Sequence, residues 1–230
     1  AFAPNFSTSG RLYIASLSSG VLVTTDGGAT AASPMLGAPG SYASAISAPP
    51  ALNDTSPRHV WAIINNLLWF SGDNATRWRQ FDTPFDDSFS ISSVRAFDKD
   101  DLWISSTSYS TDSTFKSTNA FSDDEGETWQ DLFVLEDTLP RSGFVTRIDR
   151  SEGPLYCAGG SEGVACSDDP LNNWRKVKTI DGTTGQRWFF AHYPETDPTH
   201  VIAATNTGEV FVSTDKAETF TKTFVLTSDS

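Results

Sequence analysis

Five aspartates recur in this 230-residue chain at nearly constant spacing: Asp26, Asp73, Asp124, Asp169 and Asp215, separated by 47, 51, 45 and 46 residues. An aspartate can serve as general acid, general base or nucleophile, but the surroundings of these five argue for a different task. Each follows a hydroxyl residue by two positions (Thr24, Ser71, Ser122, Ser167, Ser213). Four precede an aromatic residue by five positions (Trp78, Trp129, Trp174, Phe220), and Ala31 takes that place in the first copy. In such an octamer the carboxylate can accept hydrogen bonds from turn N–H groups, the hydroxyl can satisfy another backbone group, and glycine tolerates positive φ. The aromatic ring is then free to wedge between neighbouring sheets. The five aspartates are therefore read as staples of turns between strands, with no catalytic role.

The remaining reactive groups form no recognised motif. His59 and His200 each follow a Pro-x pair at the same place in the repeat, His192 stands alone, and no C-x-x-C, H-E-x-x-H or G-x-S-x-G is present. No metal and no cofactor is expected. The 29 acidic residues permit many glycosidase-type pairs, and the sequence singles out none. Cys157 and Cys166 flank Ala158-Gly159-Gly160-Ser161-Glu162-Gly163, which reads as a hairpin turn. Paired across it they would form a local disulfide, which fits an oxidising compartment. The alternative, a catalytic thiol, has no evident histidine partner. Three sequons, at Asn5, Asn53 and Asn74, point the same way, and the start Ala1-Phe2-Ala3-Pro4 without an initiator Met suggests a mature chain after signal-peptide removal. The expected location is outside the cell or in the secretory lumen.

The elements that position these residues are short strands. Before each aspartate-centred turn lie two alternating apolar runs, such as residues 11–15 and 20–23 before the first and residues 200–204 and 208–212 before the last. A third run lies upstream in most copies, at residues 41–47, 90–97, 144–148 and 187–192. With the strand after the turn, each copy of about 46 residues holds four strands, and no segment keeps a 3.6-residue period. Four-stranded units at that period are propeller blades. The expectation is an all-β chain, a five-bladed β-propeller of four-stranded antiparallel blades. It forms one domain over residues 1–230, with repeats near 1–36, 37–84, 85–135, 136–180 and 181–230. The innermost strand of the first blade would come from residues 1–8 or from the tail after Phe224.

The octamer Ser122-Asp123-Asp124-Glu125-Gly126-Glu127-Thr128-Trp129 matches S-x-D-x-G-x-T-W and resembles the Asp-box, or BNR repeat, of sialidases, sortilin-type receptors and several lectins. The resemblance implies architecture rather than activity. Sialidases are usually six-bladed and rely on an arginine cluster, a tyrosine and carboxylates outside the boxes, whereas the arginines here are scattered. In propellers of this type the box lies between the third and fourth strands. The opposite face, built from fourth-to-first and second-to-third loops, then surrounds the channel mouth, where a ligand pocket is expected.

On that face the sequence places Tyr42, Phe85, Asp86, Asp87, Arg141, Phe144, Arg187, Trp188 and Phe190. The stretch from Asp101 to Asp124 is longer than its counterparts, and its excess around Ser106 to Lys116, including Tyr109, is expected to be either a lid or a solvated insertion. Tyr42, Phe85, Asp87, Phe144, Trp188 and Phe190 are the candidate substrate-binding residues, and Arg141, Arg187 and Tyr109 the candidate catalytic ones. Because these loops do not repeat from copy to copy, one asymmetric pocket is expected.

Charge narrows the partners. With 16 Lys plus Arg against 29 Asp plus Glu, the net charge of −13 argues against nucleic acid and against anionic membrane surfaces. No apolar run approaches the roughly 18 residues of a membrane span. A small-molecule or glycan ligand remains. In size, export features and propeller organisation the chain also resembles the fungal hetero-Diels–Alderases of tropolonic sesquiterpenoid pathways. That resemblance implies a cofactor-free cycloaddition of a tropolone quinone methide to a terpene polyene. Tyr109, Trp188 and Phe144 would stack on flat reactants, and Arg141 or Arg187 would hydrogen-bond the tropolone oxygens. The alternative reading is a carbohydrate-binding lectin.

Overall fold

The computed structural model describes residues 9–40, 42–49, 59–109, 115–131, 144–160, 163–177, 188–192, 200–205 and 207–225. Its elements are antiparallel strands, and contacts divide the chain into two compact units, Ala1–Asp131 and Leu132–Ser230.

In the first unit, β1 (Leu12–Ser16) pairs with β2 (Gly20–Thr24), and Val23 bridges to Ala32 beyond the turn. A four-stranded sheet follows, in the order β3 (Ala43–Ser47), β4 (Val60–Ile64), β5 (Leu67–Ser71) and β6 (Arg79–Phe81). The next has the same order: β7 (Ser90–Ala96), β8 (Leu102–Tyr109), β9 (Phe115–Ser122) and β10 (Gln130–Asp131). The second unit holds two more such sheets. One is β11 (Phe144–Ile148), β12 (Leu155–Gly160), β13 (Gly163–Ser167) and β14 (Arg175–Lys176). The other is β15 (Trp188–His192), β16 (Val201–Thr205), β17 (Glu209–Ser213) and β18 (Thr221–Val225).

Local chemistry sets the strand ends. The apolar run from Val60 to Phe70 is broken at Asn65 and Asn66, which take φ of 50° and 66° and close the β4–β5 hairpin in a two-residue turn. Asparagine is among the few non-glycine residues that adopt this region readily. The third strand of each four-stranded sheet, and β2 of the two-stranded one, runs into an aspartate-centred turn. Asp124 Oδ1 accepts the Thr128 N–H (2.8 Å) and Oδ2 accepts the Thr128 hydroxyl (2.6 Å), while the Ser122 hydroxyl donates to Oδ1 (2.8 Å) and accepts the Gly126 N–H (2.9 Å). Asp26 and Asp215 repeat this set with Thr30 and Thr219. Asp73 instead takes the N–H groups of Thr76 and Arg77. The turn at Asp169 differs: Pro170 follows, and the Ser167 hydroxyl donates to the Asn172 carbonyl.

Sheet faces pack apolar side chains between neighbours. Trp61, Ile63 and Leu68 of the β3–β6 sheet meet Ile91, Val94, Leu102 and Ile104 of the β7–β10 sheet. The same β3–β6 sheet packs its other face, Val60, Ala62 and Ile64, against Tyr13 and Val21. Backbone bonds reinforce this: Leu36 N–H donates to the Thr76 carbonyl (3.1 Å) and Trp78 N–H to the Leu36 carbonyl (2.9 Å). The approach is close enough that a Cβ on Gly37 would lie 2.7 Å from the Trp78 carbonyl oxygen, so no larger residue fits there.

One expectation about the long third repeat needs correction. The excess from Ser106 onward is not a solvated insertion where it is described; it is strand, and residues 110–114 at its tip lie outside the described residues. β8 and β9 each run eight residues and pair as far as Tyr109 opposite Phe115, and Ser106 and Ser108 are buried. Alternation of side chains continues through the serines, so extra length extends the hairpin instead of forming a loop.

Candidate functional site

The loops opposite the aspartate-centred turns converge in the first unit. The segment from β6 to β7 carries Phe85, Asp86, Asp87 and Phe89, and it faces the Asn65-Asn66 turn. Between them lies a cleft of about 340 Å³, lined by these residues together with Asn66, Gln80 and Asp82 and floored by apolar groups such as Leu68 and Ile91. Phe85 packs one side against the core between the two sheets, and its ring lies 6.3 Å from that of Phe89 with an interplanar angle of 33°. The Asn66 amide donates to the Phe89 carbonyl (3.4 Å), joining the two rims.

Carboxylates dominate the polar lining. Asp86 Oδ1 accepts the Ser88 hydroxyl and, at 2.8 Å, the Ser88 N–H, and these bonds hold its carboxyl below the usual aspartate range. Asp87 is exposed and makes no hydrogen bond among the described residues. Among the described residues no Lys, Arg or His lines the cleft. Among the described residues no three His, Cys, Asp or Glu side chains gather to hold a metal ion.

A second cleft, of about 430 Å³, opens on the side of the aspartate-centred turns and shares Gln80, Phe81, Asp82 and Thr83 with the first. Its other residues include Arg79, Glu127 and Trp129. The Arg79 guanidinium carbon stands 4.2 Å from the Phe81 ring centroid and 5.2 Å from that of Phe70.

Phe85 and Asp87 of the sequence-derived set are thus brought together. Tyr42 is exposed and tied by its backbone to the Asn65 turn, since Asn65 N–H donates to its carbonyl (2.8 Å), yet it does not line the cleft. Tyr109 ends β8, while Phe144 begins β11 and Trp188 and Phe190 lie in β15, in the second unit. Arg141, Arg187, Asn5 and Asn53 lie outside the described residues. Asn74 occupies the turn after β5 with φ of 62°. Cys157 and Cys166 are opposite one another on β12 and β13 and form the disulfide.

Asn66, Gln80, Asp82 and Phe89 carry no motif that would mark them in the sequence. The aromatic residue of each octamer is expected to wedge between sheets, and Trp129 does pack against the core between two of them. Trp78 and Trp174 are indeed buried, with indole N–H groups bonded inside their own turns to Ala75 and Pro170. Trp129 is only half-buried, and its indole donates to the Asp82 carbonyl (3.2 Å), 47 residues away.

The chain matches no protein-family model and no curated protein. Solved structures share its fold. The extracellular domain of a one-component system from B. thetaiotaomicron has a TM-score of 0.64 at 12% identity, over 95% of this chain and 27% of that one. An ancestral GH74 enzyme gives 0.55 at 14% identity (94% and 29%), and the GH74 xyloglucanase from Xanthomonas campestris 0.53 at 13% identity (97% and 44%). The chain spans less than half the length of each of these three proteins. The architecture is all-β and of β-propeller type.

Proposed function

We propose that the chain binds a neutral glycan in the cleft beside Phe85, as a single five-bladed propeller with one such asymmetric site. The observation that carries this reading is the lining itself. Two tilted phenyl rings, Phe85 and Phe89, stand beside the carboxylates of Asp82, Asp86 and Asp87 and the amides of Asn66 and Gln80, with no cation among them. The C–H faces of a sugar ring suit aromatic surfaces, and its hydroxyls donate well to carboxylates, which only accept. A concentration of acceptors without a cation repels an anionic sugar.

The five recurring copies of the aspartate-centred turn support the blade count. The Cys157–Cys166 disulfide supports an oxidising location, outside the cell or in the secretory lumen. From the X. campestris enzyme, a xyloglucanase by name, we take only the ligand class to test first. The cycloaddition reading depends on Arg141 and Arg187 as donors to a tropolone oxygen, and both lie outside the described residues. The cleft offers acceptors instead, which favours the polyhydroxylated ligand.

Calorimetric titration with neutral oligosaccharides and with sialylated ones tests the reading. Binding of a neutral series, weakened about tenfold or more by Phe85→Ala and by Asp87→Ala, is the expected result. Preference for sialylated ligands, or equal binding by both variants, would overturn it.

A further inference from the structure

We infer that Trp129 is a second sugar-stacking platform, so that the ligand is a linear oligosaccharide running from the Phe85 cleft into the one beside the aspartate-centred turn. This inference rests on the glycan reading above and specifies the ligand's form.

The first observation is continuity. The two clefts share Gln80, Phe81, Asp82 and Thr83, so they adjoin along the outer strand β6 and the segment that follows it. Phe85 and Phe89 stand in one stretch and Trp129 in the other, and Phe81 lines both. Phe85 and Trp129 are partly buried against the same apolar core, which fixes each ring while leaving part of it to solvent.

The second observation is a departure from the repeat. At the equivalent position Trp78, Trp174 and Phe220 are buried at 6–7% exposure. The two tryptophans spend their indole N–H groups on carbonyls three or four residues back. The Trp129 indole instead reaches the Asp82 carbonyl, at the junction of the two clefts. A structural wedge would repeat the geometry of its counterparts; a ring that departs from the local pattern while its turn hydrogen bonds stay intact is where function or strain is expected. Gly126 takes part in the same arrangement, because a Cβ there would meet Trp61, Leu102 and Phe81 at 3.1–3.4 Å.

Ligand form follows from the chemistry. The shared stretch supplies the Gln80 amide and the Asp82 carboxylate for hydroxyls between the two rings. All-equatorial β-linked glucose units present flat C–H faces to rings and hydroxyls at their edges, so a cello-oligosaccharide is the simplest matching chain.

The test is a titration series with cello-oligosaccharides of about two to six units, using the whole chain and its Trp129→Ala, Trp129→Phe and Phe85→Ala variants. Affinity should rise about tenfold between the shortest and longest ligands, as expected for one added stacking contact. Trp129→Ala should abolish that rise while leaving the affinity for the shortest ligand within about twofold. Trp129→Phe, which keeps a ring but loses the bond to Asp82, should retain part of it and guard against misfolding as the cause. Phe85→Ala should weaken ligands of every length. Affinity that does not grow with length, or growth unaffected by Trp129→Ala, overturns the inference and leaves the glycan reading standing. Failure of the unaltered protein to bind any neutral oligosaccharide overturns both.

Discussion

The Arg79 guanidinium lies over the Phe81 ring, 4.2 Å from its centroid, and covers the edge of the aromatic cluster formed by Trp61, Phe70 and Phe81. The nearest carboxylate, Glu127, is 4.0 Å away, and both side chains are more than half exposed. The ring contact therefore outweighs the ion pair, since exposed pairs contribute about 0–1 kcal/mol at most and are screened by salt. Arg79→Ala is expected to cost about 0.5–1 kcal/mol by loss of the cation–π contact, while Glu127→Gln changes stability by less than about 0.5 kcal/mol. Urea unfolding of the two variants, at low and high salt, distinguishes the contributions. A larger loss in Glu127→Gln would reverse the ranking.

The aspartate-centred turns make a second expectation. Asp124 holds three donors from Ser122 and Thr128, and its loss leaves the Thr128 N–H without its acceptor. Because the turn is open to water, solvent replaces part of what is lost, and Asp124→Ala should cost about 1–2 kcal/mol instead of the full sum of three charged hydrogen bonds. Asp169→Ala should cost less, since the Ser167 hydroxyl in that turn donates to the Asn172 carbonyl and not to the carboxylate. Thermal or urea unfolding of the pair checks the order, and equal losses would contradict it.

Acid stability follows from the same bonds. The Thr128 hydroxyl and N–H hold Asp124 below the usual aspartate range, and Thr24 and Thr30 do so for Asp26. At Asp73 and Asp215 partial burial works the other way, and the hydrogen bonds from the Arg77 N–H and the Thr219 hydroxyl outweigh it. Glu152, bonded to Lys216 and Ser151, is lowered to about 2. In each case the folded pKa lies below the unfolded one. The contribution is therefore complete above the ordinary carboxylate values of about 4 and is lost as pH falls through the folded values. Stability should be flat from about pH 5 upward as far as these groups are concerned, and should fall steeply below about pH 4. The difference between the parent chain and Asp124→Asn should shrink in the same range. A difference that persists undiminished at pH 2 would show that the carboxylate charge is not what the turn uses.

Much of this architecture is legible in the sequence because its determinants are local and periodic. The strands at residues 90–96, 144–148 and 188–192 fall inside the predicted runs, and the Cys157–Cys166 pair follows from a hairpin whose ends the chain brings together. The lining of the cleft was less legible. Phe85 and Asp87 come from a loop the repeat singles out, but Asn66 and Gln80 reach the same space from a turn and an edge strand, where nothing in their own neighbourhood marks them. Trp129 shows the limit most clearly. Its octamer fits the repeat best, yet its indole bonds to Asp82, a long-range contact that pattern matching within the octamer cannot reveal. The hairpin from Ser106 is hidden for a related reason: a serine-rich stretch resembles a loop in composition, while pairing with β9 makes it strand.

The disulfide supplies a final expectation, specific to the β11–β14 sheet. Cys157 and Cys166 are directly opposite on β12 and β13, with 0% and 1% exposure, and their sulfurs pack in the apolar cluster that includes Ile148 and Leu155. Closing a loop with a sequence separation of nine stabilises by roughly 2–3 kcal/mol in the chain-entropy account. Replacing both cysteines with alanine also removes two buried sulfurs from that core, which adds to the loss. The double variant should unfold at lower urea concentration, and the native disulfide should resist reduction until denaturant opens the sheet. Thiol titration under dithiothreitol, with and without urea, checks this. Rapid reduction of the folded protein without urea would mean that the pair is accessible and that the β12–β13 hairpin opens on its own.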